Sequence, residues 1–217
     1  KTPLTSIINY VDLLKRENIQ DPKIQGYLDI LEAKAQRLKH LTEDVVEASK
    51  ISSGNITMEY MNINFVEMIN QTTGEFTEKF EKRNLQIVLN VPEKPVMVRT
   101  DGRRMWRVIE NIYNNAAKYA LEGTRVYADL IEKEHTVEFS LKNISEQPLN
   151  ISADELTERF IRGDVSRSTE GSGLGLSIAK NLTELQGGKF ELYLDGDLFK
   201  VTIVFPKAVV GQSVTKP

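Results

Sequence analysis

Leu4, Ile7, Ile8, Val11 and Leu14 open the chain at the three-and-four spacing of one helical face, with no capping residue before them. A helix that begins upstream of Lys1 is expected. After the polar turn "ENIQDP" the same period returns at Ile24, Tyr27, Leu28, Leu31, Ala35, Leu38, Leu41, Val45 and Ala48, a stripe of about seven turns. Two antiparallel helices are therefore expected over residues 1–55. A hairpin this long cannot bury both its faces alone, so the stripe calls for a second copy forming a four-helix bundle, or for the rest of the same chain.

The pattern changes at "SSGNITME", where serine, glycine and asparagine end the helical period. Residues 56–61 read as a linker, and 62–206 as a second domain. Within it, 65–82 predicts a helix, and "LQIVLNV" and "VMVRT" predict strands. Asp101 is placed to cap the helix "GRRMWRVIENIYNNAAKYAL", with Met105, Val108, Ile109, Ile112, Ala116 and Tyr119 on one broad face. The run "RVYADLIEKEHTVEFSLKN" alternates like a hairpin, and a loop with the short helix "ADELTERF" follows. Another helix is expected from about Leu174, then a strand pair in "KFELYLDGDLFKVTIVFP" turned on Asp195 and Gly196. The fold class is α+β: a helical hairpin followed by a two-layer α/β sandwich. Residues 207–217 form a tail with no assigned role.

Composition narrows the chemistry. With 40% hydrophobic and 27% charged residues in 217, the chain is globular, and a net charge of -3 gives no general attraction to nucleic acid or anionic lipid. Phosphate chemistry, if present, must come from a local site. The absence of cysteine excludes disulfides, thiolate zinc sites and cysteine nucleophiles, and makes a cytoplasmic setting the default. No apolar run approaches the ~20 residues of a membrane span.

Two stretches can carry chemistry. In "TEGSGLGLSIAK", Gly171, Gly173 and Gly175 precede an apolar helix, where a close-approaching backbone and helix N-terminal amides suit a phosphate; the other reading is a mobile glycine loop with no ligand. Leu176 stands where a dinucleotide fingerprint needs glycine and a P-loop needs lysine, so neither motif is met. In "RVIENIYNNAAKYA", Asn111, Asn115 and Lys118 fall at i, i+4 and i+7. Amide oxygens suit Mg²⁺ beside nucleotide phosphates and lysine suits the phosphates; a solvated polar edge is the alternative.

Together these stretches resemble the sensor histidine kinases. "KTPLTSI" is similar to the end of the family's H box, "NIYNNAAKYA" to its N box, "ERFIRGD" to its F box and "GSGLGLSIAK" to its G2 box, in the family's order from Lys1 to Pro206. The resemblance implies an ATP-binding domain of the gyrase, heat-shock-90, histidine-kinase and mismatch-repair type, fed by ATP and Mg²⁺. It implies transfer of the γ-phosphoryl group to a histidine, then to an aspartate of a response regulator receiver domain.

Asn115, assisted by Asn111, would hold Mg²⁺. Lys118 and the backbone around Gly171, Gly173, Leu174 and Gly175 would hold phosphates, and Tyr119 and Leu176 would line the base pocket. Arg162, after Phe160, would approach the γ-phosphate from a lid. The phosphoacceptor histidine would lie three residues before Lys1, with neither His40 nor His135 replacing it. Thr2 stands where similar kinases orient water for phosphatase chemistry, or is simply a polar first-turn residue. A homodimer is implied, with no nucleic-acid partner, a cytoplasmic location for this stretch, and a membrane anchor only through upstream segments.

One box departs from the family. Its Asp-x-Gly-x-Gly sequence, whose aspartate accepts from the adenine amino group, is "KNISEQP" here: Asn143 takes the aspartate position, and Ser145 and Gln147 the glycines. An amide oxygen accepts the same bond without charge, so weakened adenine recognition is expected. Glu170 adds a carboxylate near the phosphates. The alternative reading is a non-catalytic or phosphatase-biased dimeric signalling module.

Overall fold

The computed structural model describes residues 2–17, 19, 21–54, 56–149, 152–157 and 173–208, which form two compact units, Lys1–Ser53 and Gly54–Pro217. The first is an antiparallel pair, α1 (Thr2–Arg16) and α2 (Pro22–Ser52). Asp21 starts α2 by accepting from the Lys23 amide at 2.8 Å, with Pro22 in the first turn, where its missing N–H costs nothing. Lys15 reaches Asp29 at 2.8 Å and Glu32 at 2.6 Å, fixing the register of the two helices. The long stripe of α2 divides. Leu28 and Ala35 are buried, whereas Ile24, Tyr27, Leu31 and Leu38 stay about half exposed, because α1 covers only one flank; farther along, Ala48 is buried and Val45 about half exposed.

The second unit carries β1 (Tyr60–Asn64), α3 (Phe65–Glu81), β2 (Gln86–Asn90), β3 (Met97–Asp101), α4 (Gly102–Tyr119), β4 (Arg125–Glu132) and β5 (Thr136–Ile144). It continues through α5 (Ala153–Thr157), α6 (Gly175–Leu185), β6 (Lys189–Asp195) and β7 (Leu198–Pro206). Five strands form one sheet in the order β2-β4-β5-β7-β6, with β2 and β4 parallel and the rest antiparallel. A separate antiparallel pair, β1 with β3, sets Tyr60 opposite Asp101.

Two elements differ from the sequence expectation. Strand β1 begins within the stretch read as a linker, where only Met61 and Ile63 alternate with polar residues and the period is too short to register. The last hairpin turns on Gly196 and Asp197, since Asp195 still pairs with Leu198.

One face of the sheet is apolar: Val126, Ala128, Val137, Phe139, Leu141, Val201, Ile203 and Phe205 are essentially excluded from solvent. Helices α3, α4 and α6 supply the other layer through Phe65, Ile69, Phe76, Phe80, Met105, Ile109, Ile112, Ile178 and Leu182. Tyr113, absent from the expected face of α4, is fully buried at its centre, stacked on Phe139 with centroids 6.3 Å apart and tilted against Phe76 at 5.4 Å. Its hydroxyl meets Thr73 Oγ1 at 2.8 Å, which is what lets a phenol sit there.

Burial pushes the Tyr113 phenol up to about 12, only partly opposed by Thr73. Because the folded value lies above the ordinary value of about 10, the stability this difference contributes is intact below pH ~10 and is lost as pH climbs through about 12. Tyr113→Phe is expected to cost about 1 kcal/mol by stranding Thr73, and to remove one late-titrating phenol from the ultraviolet absorbance titration. Loss of amplitude near pH ~10 in place of the late phase would show that Tyr113 ionises like an exposed tyrosine.

Candidate functional site

Helix α4 is positioned at its start by Asp101, whose carboxylate accepts from the Arg104 amide at 3.1 Å and the Glu59 amide at 3.0 Å. With its apolar face against the sheet, the stripe of Asn111 and Asn115 is half buried, Lys118 is exposed and Tyr119 is half buried. Asn111 Nδ2 donates to the Arg107 carbonyl at 3.0 Å, leaving Oδ1 directed elsewhere. A Cβ on Gly175 would stand 3.0 Å from that oxygen, so the first residue of α6 sits tightly against Asn111 and a larger side chain there would require Asn111 to shift.

Just before α6, Gly173 has φ of +72°, a left-handed turn that other residues adopt at a cost. Leu174 occupies the N-cap with no side-chain hydrogen bond, and the next side chains, Leu176 and Ser177, are buried. A leucine cap leaves first-turn amides without the acceptor that Ser, Thr, Asp or Asn would bring. The N-terminus of α6, without a side-chain cap from Leu174, lies next to the amide stripe of α4.

Asn143 lies on the helix-facing side of β5, between Val126 and Phe199 in register, and only 3% of it is exposed. Its Nδ2 donates to the Ile144 carbonyl at 3.1 Å, while its buried Oδ1 has no hydrogen-bond partner among the described residues. An orphaned buried oxygen costs about 1–3 kcal/mol, so the position favours a ligand N–H that would satisfy it. That makes Asn143 a neutral acceptor.

The segment after Asn143 is stitched rather than looping freely. Leu121 N donates to Ile144 O at 2.8 Å, Glu146 N to Tyr119 O at 2.8 Å, Ser145 N to Asp197 O at 2.7 Å and Leu149 N to Gly196 O at 3.1 Å. These bonds bring Tyr119 beside the segment that follows Asn143, and that segment, which replaces the family's glycines, is held by backbone bonding instead. Arg83 reaches the same junction, donating to the Ala117 and Lys118 carbonyls and to the Glu146 carboxylate. Sequence reading missed it, because a lone arginine in the turn after α3 carries no motif.

Arg162, Gly171, Phe160 and Glu170 lie outside the described residues, as does the side chain of Thr2. Among the described residues no three His, Cys, Asp or Glu side chains gather where they could hold a metal. The donors on the α4 stripe are neutral amides, which fit a Mg²⁺ that keeps much of its water and draws its other ligands from phosphate. His40 and His135 are both exposed, on α2 and in the β4–β5 turn.

Comparison with known proteins agrees with this architecture. Residues 100–209 match the family described as "Histidine kinase-, DNA gyrase B-, and HSP90-like ATPase", and residues 1–54 match the "His Kinase A (phospho-acceptor) domain". The chain is similar to the sensor protein VanSC of Enterococcus gallinarum, 30% identical over 210 residues, covering 95% of this chain and 58% of that protein. Its fold resembles full-length ShkA crystallised with AMPPNP, with a TM-score of 0.79 at 19% identity, over 98% of this chain and 45% of that one. It also resembles the histidine kinase ThkA in complex with the response regulator TrrA, with a TM-score of 0.63 at 21% identity, over 94% and 58% of the two chains. The chain thus spans a little over half of VanSC. With a phospho-acceptor-type hairpin and, after it, the ATPase sandwich in which the start of α6 at Gly175 packs on Asn111 of α4, the chain belongs to the sensor histidine kinase family.

Proposed function

We propose that this chain is the kinase core of a two-component sensor, transferring the γ-phosphoryl group of ATP to a histidine and then to an aspartate of a response regulator. The observation that carries the reading is the buried, unpaired Oδ1 of Asn143 in a sandwich where the uncapped N-terminus of α6 packs on the amide stripe of α4. An adenine amino group would satisfy the oxygen, and the α6 amides with Lys118 would take phosphates. Asn115 and Asn111 would hold Mg²⁺, which when bound supplies neutralisation of the phosphate charge. Tyr119 and Leu176 would line the base pocket; Gly171 would extend the phosphate cradle and Arg162 would act from the lid. The protein's share of phosphoryl transfer is positioning and charge, since the reaction needs little covalent help.

The partners follow from the same reading. A second copy would cover the outward side of the α2 stripe, and a receiver domain would dock as TrrA does on ThkA. Among the described residues no helix is long and apolar enough to cross a membrane, so a membrane location would come from other segments.

Titration calorimetry with AMPPNP, with and without Mg²⁺, tests the reading. Saturable Mg²⁺-dependent binding is expected. No binding at millimolar nucleotide would favour a signalling module with a degenerate site, in which Asn143 in the aspartate position has ended adenine recognition.

A further inference from the structure

Helix α4 ends in a way that leaves two carbonyls to be satisfied from outside it. Ala120 N still bonds to Ala116 O, but Leu121 N turns away to Ile144 O, so the Ala117 and Lys118 carbonyls lose the amides that a continuing helix would bring. Arg83 fills both. It sits in the turn between α3 and β2, where Asn84 takes a left-handed φ of 50°, and its Nη1 donates to Ala117 O at 3.2 Å and to Lys118 O. Its Nη2 donates to Glu146 at 3.0 Å. A cation at a helix C-terminus also complements the macrodipole.

One guanidinium therefore joins the last turn of α4, which carries Lys118 and Tyr119, to the segment that follows Asn143. We propose that Arg83 is a positioning residue for the nucleotide, setting the phosphate-side lysine and the aromatic side chain of α4 in register with the base acceptor on β5. This rests on the nucleotide reading above. Arg83 touches none of the ligand itself. The Arg83–Glu146 ion pair is a quarter to half exposed, and such pairs contribute little to global stability, so its consequence is alignment rather than folding. The geometry also explains how a segment without the family's glycines keeps a defined place: Glu146 is held by its side chain to Arg83 and by its amide to Tyr119 O.

Alignment and stability separate by experiment. A base-free ligand engages the phosphate side alone, whereas a nucleotide needs both sides in register. Mg²⁺-tripolyphosphate and Mg²⁺-AMPPNP are titrated against the whole chain and its Arg83→Met, Arg83→Lys and Glu146→Gln variants, with melting followed by circular dichroism. Arg83→Met is expected to weaken AMPPNP by about tenfold while leaving tripolyphosphate affinity unchanged. Arg83→Lys should recover part of the loss, Glu146→Gln should fall between, and the Arg83→Met, Glu146→Gln double variant should be no worse than Arg83→Met. AMPPNP affinity unchanged in Arg83→Met and Glu146→Gln, or equal losses for both ligands tracking a lower melting temperature, would overturn the proposal. If Arg83→Met does not fold, the Glu146→Gln and Arg83→Lys comparison decides by the same criterion. A wild-type chain that binds tripolyphosphate but not AMPPNP, or neither ligand, overturns the nucleotide reading itself and this proposal with it.

Discussion

Asn115→Ala removes Mg²⁺-nucleotide binding, by about a hundredfold or more, and leaves the fold in place. On the proposed reading the loss would be large because Asn115 supplies the principal protein oxygen to Mg²⁺ and Asn111 only assists, while among the described residues no group of three His, Cys, Asp or Glu side chains could take over the metal. The fold survives because alanine is the best helix former and Asn115 is only half buried, while its apolar neighbours Ile112 and Ala116 keep their places. Asn115→Asp does not rescue, since it keeps an oxygen but loses the Nδ2 donor and sets a negative charge beside the phosphates. Calorimetry with AMPPNP and circular dichroism check both halves of the claim. Wild-type affinity in the alanine variant removes Asn115 from the site.

Leu31→Glu with Leu38→Glu is expected to convert the proposed dimer into monomers, measured by sedimentation. About half of each leucine is still exposed within one chain, so a second copy has that area left to cover. Four such side chains per dimer contribute about 3–6 kcal/mol, and each glutamate adds the cost of desolvating a charge. Association weakens by at least about a hundredfold. The hairpin itself should persist, because its own buried side chains, Val11, Leu28 and Ala35, are left in place, as is the pairing of Lys15 with Asp29 and Glu32. A double variant that sediments as a dimer places the interface elsewhere.

Helices and long strands were legible because each satisfies its own backbone and leaves its burial as a period. The cap at Asp101, the face of α4 from Met105 to Ala116, and the alternation of β4, β5 and β7 follow from residues close in sequence. Strand β1 was not, since five residues with two apolar positions become a strand only when β3, more than thirty residues on, offers its edge. Tyr113 escaped for a related reason. Polarity argues for the edge of the helix, and only Thr73, on another helix, makes its hydroxyl acceptable in the core.

The candidate site divides along the same line. By itself the sequence determined that two amides and a lysine share one stripe of α4 and that glycines lead into α6, because each is a matter of residue type and short-range spacing, and the family resemblance added that Asn143 stands in the place of an aspartate. Only the tertiary structure decided that Gly175 lies against Asn111, that Asn143 is buried with its oxygen unpaired, and that Arg83 closes the end of α4 onto Glu146. Those facts depend on which groups meet across helices and strands far apart in the chain. A single buried oxygen or helix end has no periodicity to betray it: what it needs, and what is near enough to supply it, is set by packing.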